Sequence, residues 1–439
     1  MLFEQITLID EDIQVREKMY VGTKGGYIQY VGKERPDEDF GEVYNGKGKL
    51  LMTGFFNAHA HSPMTLMRGY GENMNLQDWL TKKIFPFEAK LGEESVYYGT
   101  MLAMAESVAA GIVSTSDMYY FSEAMAAAIL ESGTKNNLSR SIVNFTGEDL
   151  WDMDGAREMK ALYQEYHGAG EGRLLVDMSL HAEYTSDPKT VAELAAYTKE
   201  IGGNMQVHVS ETASEHEECK RKYGMTPVAY LDSHGLLGTR TTAAHCVHIE
   251  GEDYGILRDR GVVVAVNPVS NMKLASGVCN VPALLQNGVK IALGTDSVAS
   301  NNSLNFVEEM KVMAIGTAMM YPDLPRVTPE DAIRAATAGG AYAQGRDDCG
   351  KLAEGYKADL IVMDISGPSM HPIHSTVNNL VYSSGGSGVC MTMVDGKVLY
   401  KDGEYLTLDA ERIIFEVEKA TGDILRRLDK EQKEKEEKA

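Results

Sequence analysis

The sequence is short of positive charge. Among its 439 residues, 42 lysines and arginines stand against 64 aspartates and glutamates, which makes the formal net charge −22. Such a surface repels nucleic-acid phosphates and anionic lipid headgroups, so neither nucleic acid nor a membrane is expected as a partner. Hydrophobic residues make up 44% of the chain and charged residues 24%, the usual mixture for a globular protein with a sizeable core.

The sequence also has few cysteines and no long apolar run. No stretch approaches the ~20 apolar residues of a membrane-spanning helix. The N-terminal segment MLFEQITLIDED carries acidic residues where a signal peptide would carry basic ones. The five cysteines are scattered, without a C-x-x-C motif, which is typical of reduced thiols. These features predict a cytoplasmic protein without a disulfide framework.

From residue 51 onward, predicted apolar strands alternate with predicted helices. Eight units in about 250 residues match an α/β fold of the (β/α)8 TIM-barrel type. A doubly wound open sheet is the alternative, but the Gly-rich first turn that is common in such sheets is absent. The continuous apolar runs indicate strands covered on both faces. The predicted strands are residues 51–58, 111–117, 141–146, 174–180, 204–209, 241–244, 262–266 and 289–294.

Both ends of the chain contain short strand-like segments separated by turns such as Lys24-Gly25-Gly26 and Asp395-Gly396. We predict that residues 1–52 and 352–408 form one composite β-sandwich domain. Residues 53–351 would form the barrel. Residues 409–439 would form a helical tail whose highly charged end is solvated.

Histidines recur at the predicted carboxyl ends of the strands, where barrel enzymes carry their active-site residues. Five of the eleven histidines fall there, with an aspartate after the eighth strand. Three or four imidazoles and a carboxylate suit zinc, with iron(II), manganese or nickel as alternatives. A carboxyl group near such a site can move protons between water and substrate. The residues are His59, His61, His181, His208, Glu211, His245 and Asp296.

Six segments carry a resemblance that covers the chain from about residue 6 to about residue 405. They are similar to the amidohydrolase superfamily, and specifically to its S-adenosylhomocysteine/5′-methylthioadenosine deaminase branch, which is related to the triazine chlorohydrolases. The segments read GFFNAHAHSPMTLMRG, NLQDWLTKKIFPFE, QVHVSETASEHEEC, AAHCVHIE, NPVSNMKLASG and GTDSVASNNSLN.

The resemblance implies a metal-dependent hydrolytic deamination. Asp296 and His245 would take a proton from the attacking water, and Glu211 would protonate N1 of an adenine ring before ammonia leaves. The predicted fourth strand ends in Leu-His-Ala-Glu, without the lysine that bridges two metals in binuclear relatives, so a single ion is expected. Its implied ligands are His59, His61, His208 and Asp296.

The resemblance also implies which residues bind the substrate. Glu88 would accept hydrogen bonds from the ribose hydroxyls, as a carboxylate suits a vicinal diol. Arg140 would reach the 5′ substituent, and Arg157 would hold a homocysteine carboxylate. Asn301 would touch the base or order its loop. The further substrate-binding residues implied are Trp79, His181, Glu211 and Ser300.

The main hypothesis is therefore deamination of adenosine, 5′-deoxyadenosine, 5′-methylthioadenosine or S-adenosylhomocysteine. The alternative enzyme would hydrolyse another amino- or chloro-substituted heterocycle, such as guanine, a pterin or a triazine. Bare bases would leave Glu88 and the arginines unpaired, which favours a ribose-bearing substrate. Homo-oligomerisation is expected from the resemblance alone.

Two further alternatives are less favoured. An inactive barrel that serves as a binding protein would have no need of Glu211 and a full set of metal ligands. His181-Ala-Glu183 fits the H-x-E of the zinc cytidine-type deaminases, but the P-C-x-x-C of that family is absent.

Overall fold

The computed structural model describes residues 1–74, 76–386 and 388–438. Its strands, numbered in chain order, are β1 (Leu2–Ile9), β2 (Val15–Lys24), β3 (Tyr27–Gly32), β4 (Val43–Asn45), β5 (Lys49–Thr53), β6 (Phe55–Ala60), β7 (Ile112–Met118), β8 (Lys135–Ser139), β9 (Leu174–Val176), β10 (Met178–Leu180), β11 (Met205–Val209), β12 (Thr241–His245), β13 (Val263–Val266), β14 (Lys290–Leu293), β15 (Leu360–Asp364), β16 (Val389–Val394), β17 (Lys397–Lys401) and β18 (Glu404–Tyr405).

Helices follow most strands of the central part of the chain. They are α1 (Leu76–Trp79), α2 (Phe85–Glu88), α3 (Glu93–Ala109), α4 (Ser122–Ser132), α5 (Asp154–Tyr166), α6 (Pro188–Ile201), α7 (Ala213–Tyr223), α8 (Pro227–Ser233), α9 (Asp253–Asp259), α10 (Pro268–Lys273), α11 (Val281–Gln286), α12 (Val298–Asn301), α13 (Phe306–Met320), α14 (Pro329–Arg334), α15 (Gly340–Ala343), α16 (Thr376–Tyr382) and α17 (Ala410–Lys438).

The central strands form two parallel sheets with the orders β6-β7-β8-β9 and β10-β11-β12-β13-β14. Strands β9 and β10 are separated in sequence only by Asp177. At the other edges, a parallel bridge joins Ala60 to Asp296, and the Asp296 N–H donates to the His59 carbonyl at 3.0 Å. The fold is therefore α/β and TIM-barrel-like, with the carboxyl ends of β6 and β14 side by side.

The predicted third strand was wrong, because the strand is β8 and not residues 141–146. That segment pairs only through an isolated bridge between Ile142 and Leu180. Strand β8 reads KNNLS, yet every residue in it is buried. Its Lys135 ammonium bonds Asp359 and lies 2.8 Å from Asp395, which compensates the charge. A search for apolar runs passes over a buried strand whose polar groups find partners inside the protein.

Strands from the two ends of the chain meet in one nine-stranded sheet. Its main order is β18-β17-β16-β15-β5-β1-β2-β3, with β4 also pairing β1. Strand β5 runs parallel to β1 and antiparallel to β15. Because β6 begins two residues after β5 ends, this sheet anchors the first strand of the central fold.

Helix α17 packs through one side only, with Ile413, Val417 and Ile424 buried. Lys90 and Glu431 form an ion pair of 2.5 Å between it and the segment before α3. None of the described helices is long and apolar enough to cross a membrane.

Candidate active site

Five histidines gather at the carboxyl ends of the parallel strands. The ring centroid of His59, in β6, lies 4.9 Å from that of His61 and 4.9 Å from that of His208 in β11. It lies 5.3 Å from the ring of His245, the last residue of β12. His181 follows β10, and its ring is 4.8 Å from that of His208. Residues scattered over the sequence are therefore brought into one cluster.

The ligand atoms of the cluster form two overlapping groups that share His59. In one, His59, His61 and Asp296 each offer an atom within 4.8 Å of the others; in the other, His208 and His245 do so with His59. The Nε2 atoms of His61 and His59 lie 3.3 and 3.7 Å from Asp296 Oδ1. The four predicted ligands, His59, His61, His208 and Asp296, therefore lie together, and His245 lies beside them.

The cluster fits a metal ion. His59 is buried, and its Nε2 has no hydrogen-bond partner among the described residues, which is costly for a polar atom unless something else satisfies it. His61 Nδ1 lies 2.6 Å from the Met118 carbonyl, and His208 Nδ1 lies 2.7 Å from the His181 carbonyl. A carbonyl accepts only from N–H, so both rings carry a proton on Nδ1 and turn Nε2 toward the cluster. Metal-binding histidines have this arrangement.

The protonation states also suit cation binding. Burial, with the charges of neighbouring histidines, holds the pKa of His59 and of His208 well below the ordinary value, so both rings are neutral. Burial raises the pKa of Asp296, but the hydrogen bond with His61 and the histidine charges outweigh it, and the net pKa lies well below the ordinary value. Burial lowers the pKa of His61, but the hydrogen bond and charge of Asp296 outweigh it, so the net pKa of His61 is raised. The site thus presents the neutral imidazoles of His59 and His208 together with a carboxylate paired to His61.

His245 has the opposite tautomer. The side-chain amides of Asn271 and Asn267 donate to its Nδ1 at 2.9 and 3.2 Å, which leaves the ring proton on Nε2. That Nε2 lies 3.8 Å from Glu211 Oε2. A protonated ring nitrogen donates hydrogen bonds and offers a cation no lone pair. His245 is therefore arranged as a hydrogen-bond donor next to the cluster.

Glu211 is largely buried and fixed from two sides. Its Oε1 accepts from Ser276 Oγ at 3.3 Å, and its backbone N–H donates to Glu215 at 2.8 Å. Glu215 also takes part in the capping box with Thr212 that begins α7. Burial raises the pKa of Glu211, so its protonated form persists to a higher pH than in water. A carboxyl group in this state can both donate and accept a proton.

The backbone at these strand ends is strained. His245 and Asp296 have φ angles of 75° and 59°, in the left-handed region that residues other than glycine seldom adopt. Ser270 and Ser300 donate to Asp296 Oδ2 at 2.5 and 3.2 Å. Close packing is needed as well, because a Cβ at Gly294 would lie 2.3 Å from Asn267 Oδ1. Hydrogen bonds and packing together hold Asp296 against the histidines.

A cavity of ≈120 Å³ opens from the cluster, and a second cavity of ≈570 Å³ adjoins it. The first is lined by four of the predicted substrate residues, namely Trp79, Glu88, His181 and Glu211. The second, which we call the side chamber, includes Arg140 and shares Phe85, Glu88 and Tyr120 with the first. The two cavities form a path that leads from the histidines past Glu88 to Arg140.

Glu88 and His181 both line the first cavity. Burial raises the pKa of Glu88 and outweighs the opposing effect of a 2.6 Å hydrogen bond from the Tyr119 hydroxyl. Burial and the nearby histidines lower the pKa of His181 to about 4, so its ring is neutral at physiological pH. Glu88 is therefore a fixed acceptor and His181 a neutral polar group facing the cavity.

Three predicted residues lie elsewhere. Ser300 is buried and bonds Asp296, and it does not line either cavity. Asn301 donates to the Thr295 carbonyl at 2.8 Å and to Glu309, which orders its loop. Arg157 also lies outside both cavities, because its guanidinium is turned to Asp154 at 2.5 Å and to the Asp152 carbonyl.

Several supporting residues were not singled out in the sequence. Asn267, Ser270 and Asn271 lie inside the segment NPVSNMKLASG, so the signal was present without an assigned role. Asp117 accepts from the Ser62 N–H and hydroxyl, both at 2.7 Å, and so fixes the chain just after His61. Tyr119 has no comparable signal, because only the fold brings it to Glu88.

Comparisons with known proteins agree with this geometry. The model of the amidohydrolase family matches residues 50–399. A 5-methylthioadenosine/S-adenosylhomocysteine deaminase of Caldanaerobacter subterraneus is 38% identical, over 97% of this chain and 99% of that protein. A 5′-deoxyadenosine deaminase of Methanosarcina mazei is 36% identical, over 96% and 97%. The crystal structure of a Xanthomonas campestris adenosine deaminase with bound zinc superposes with a TM-score of 0.91 at 29% identity, covering 97% of this chain and 98% of that one.

Proposed function

This chain belongs to the amidohydrolase family, and we propose that it is an enzyme that hydrolyses adenosine-type nucleosides to the inosine analogue and ammonia. The relatives that align over nearly its whole length are deaminases of such nucleosides. One observation carries the proposal: His59 Nε2 lies buried and without a hydrogen-bond partner among the described residues, in a cluster whose His61, His208 and Asp296 line the same cavity as Glu88. That arrangement suits a metal ion that activates water next to the base, with the ribose at Glu88.

One divalent cation would be held by His59, His61, His208 and Asp296. Three imidazole nitrogens and one carboxylate oxygen suit zinc, and the similar Xanthomonas deaminase contains zinc. When bound, such a cation supplies Lewis-acid chemistry and lowers the pKa of water. The neutral state of the His59 and His208 rings supports this assignment, since only a neutral imidazole can ligate.

The protein's own groups would move the protons. The ionised Asp296 accepts a proton from the attacking water, while His245 Nε2–H donates a hydrogen bond to the same oxygen. Glu211, with its raised pKa, gives its proton to N1 of the adenine as the water oxygen bonds to C6. The proton held by Asp296 then passes to the 6-amino group, the C6–N bond breaks, and ammonia leaves. The proton of the new C6 hydroxyl returns to Glu211 as the 6-oxo group forms. Water and nucleoside are thereby converted to the 6-oxo nucleoside and ammonia.

The outer part of the cavity would hold the sugar. Glu88, fixed by Tyr119, accepts hydrogen bonds from the ribose hydroxyls. Trp79 and His181 line the same cavity and would contact the purine or ribose. The 5′ substituent then extends into the side chamber that contains Arg140. Ser300 would act through its hydrogen bond to Asp296, and a contact of Arg157 with substrate has no support in this geometry.

We infer the larger organisation on similar grounds. The bridge between Ala60 and Asp296 supports closure of residues 53–351 into a barrel. Residues 1–52 and 352–408 would form a composite β-sandwich domain around the nine-stranded sheet, with residues 409–439 as the tail. Five free cysteines support a cytoplasmic location. Homo-oligomerisation rests on the resemblance alone.

A spectrophotometric screen of adenosine analogues tests the proposed function. The zinc-loaded protein should convert one or more of adenosine, 5′-deoxyadenosine, 5′-methylthioadenosine and S-adenosylhomocysteine, with loss of adenine absorbance and release of ammonia. The chelated protein is the matched control. Turnover of guanine, a pterin or a triazine without turnover of any adenosine would contradict the proposal and favour the alternative enzyme.

A further inference from the structure

The side chamber is acidic although it contains Arg140, the residue that would face the 5′ substituent. Besides Glu88, its lining includes Glu93, Glu123 and Glu158 against the single cation Arg140. None of the five histidines of the cluster lines it. A ribose held at Glu88, with its base toward the histidines, would direct its 5′ carbon into this chamber. The charges there would therefore act on the 5′ group and not on the reacting carbon.

The guanidinium of Arg140 already donates a hydrogen bond from each of the two edges that could bind a carboxylate. Its Nε donates to Glu158 Oε2 at 2.8 Å, and its Nη1 donates to the Ser141 carbonyl at 2.7 Å. Its guanidinium carbon also lies 4.9 Å from the centre of the Tyr120 ring. Nη2 alone has no hydrogen-bond partner among the described residues. An incoming carboxylate could form the strong two-bond pair with Arg140 only if Glu158 or the carbonyl gave way.

We propose that Glu158 determines specificity for the 5′ substituent. By occupying Nε of Arg140, it disfavours nucleosides whose substituent carries a carboxylate relative to those with a small neutral substituent. The side chain of Glu158 is 58% exposed, whereas that of Arg140 is 17% exposed, so the glutamate can be displaced without disturbing the core. This inference rests on the proposed function.

The test compares two nucleosides that differ in the 5′ substituent. S-adenosylhomocysteine carries a carboxylate, and 5′-methylthioadenosine does not. Glu158→Ala should raise the ratio of kcat/KM for the first to kcat/KM for the second about 5-fold, the upper range for a solvent-exposed ion pair. The change should appear in KM for S-adenosylhomocysteine, because Glu158 lines the side chamber and not the cavity that the histidines line. Glu158→Gln keeps an acceptor without the charge and should fall between wild type and alanine.

Two controls separate this effect from general electrostatics. Glu123 lines the same chamber and makes no ion pair with Arg140 among the described contacts, so Glu123→Ala should leave the ratio close to that of wild type. In an Arg140→Gln background, Glu158→Ala should no longer raise the ratio, because the guanidinium that Glu158 occupies in wild type is absent.

The outcomes distinguish the inference from the proposed function. If the enzyme deaminates 5′-methylthioadenosine and Glu158→Ala leaves the ratio unchanged, the inference is wrong and the proposed function stands. The inference is equally wrong if Glu123→Ala raises the ratio as much as Glu158→Ala. If the metal-loaded protein deaminates neither nucleoside nor any other adenosine, the proposed function fails and the inference fails with it.

Discussion

The two ends of the active-site path are built in different ways. At the histidine end, His59, His208, His245 and Asp296 are all buried, and most of their polar atoms are fixed by backbone carbonyls, serines or asparagines. At the side-chamber end, the exposed carboxylate of Glu158 holds Arg140 from the solvent side. Burial makes the first end sensitive to any change, whereas solvent screens the second. The structure thus separates a rigid chemical end from an adjustable recognition end.

Removal of the metal should have the largest effect, because it disables the rigid end outright. Dialysis against a chelator should abolish ammonia release, and added zinc should restore it. A cation that binds only the folded state also stabilises it, by about 2.7 kcal/mol at 100 times its dissociation constant. The melting temperature should therefore fall on chelation and recover with zinc. Full turnover by metal-free protein, verified by elemental analysis, would contradict the proposed site.

Glu211→Gln should follow in size, since it removes the proton donor without touching a predicted ligand. We expect kcat to fall about 10²- to 10⁴-fold, the usual contribution of general acid–base catalysis. The bound metal, measured by elemental analysis, should be unchanged. A variant with near-normal kcat would refute the role assigned to Glu211.

Asn271 tests whether the tautomer of His245 matters. Asn271→Ala removes the shorter of two hydrogen bonds to Nδ1, and kcat should fall about 10-fold, as is common for residues that orient an active-site histidine. Asn271→Asp should reduce kcat further, because a carboxylate acceptor would draw the ring proton to Nδ1. Equal activity of the two variants would exclude a role for the tautomer.

The protonation of Glu309 should make the stability of the folded protein depend on pH. It is buried behind the loop of Asp296, where it accepts from the Val269 N–H at 3.2 Å, and burial raises its pKa to about 8. Because the folded state holds this proton after the unfolded chain has released it, stability should fall as pH rises from about 4.5 to about 8 and change no further above that. Between pH 6 and 8 the loss would be about 2 kcal/mol.

Chemical denaturation across this pH range checks the prediction. Glu309→Gln should flatten the fall in unfolding free energy that wild type shows between pH 6 and 8. Glu308→Gln, an exposed neighbour on the same helix, should keep the wild-type slope. Parallel pH profiles for wild type and Glu309→Gln would show that Glu309 does not hold the proton.

Arg157→Gln should have the smallest effect on activity, because Arg157 lies outside the recognition end of the path. Its side chain pairs with Asp154 outside both cavities, so kcat/KM for each nucleoside should stay within about twofold of wild type, as expected of an exposed ion pair. A large rise in KM for S-adenosylhomocysteine alone would instead bring Arg157 into the substrate site.

The histidine end could be predicted from the sequence because its residues stand at the carboxyl ends of parallel strands. His59, His208 and His245 each end an apolar run, and parallel strands bring such ends together. The same reasoning missed β8, where Lys135 is buried against Asp359 and Asp395. The two asparagines of β8 bond Asp117 and Asp177. That reasoning missed Tyr119 for a related reason, since nothing local marks an aromatic residue as the partner of Glu88.

The amino-acid order alone determined the alternation of strands and helices and the histidines that end the strands, because a local pattern repeats where a structural unit repeats. The tertiary structure decided which nitrogen of each ring is free, how Arg140 is shared with Glu158, and that Arg157 turns away. These depend on hydrogen bonds between residues far apart in the chain, such as Asn271 with His245 and Arg140 with Glu158. Only the folded backbone sets those distances.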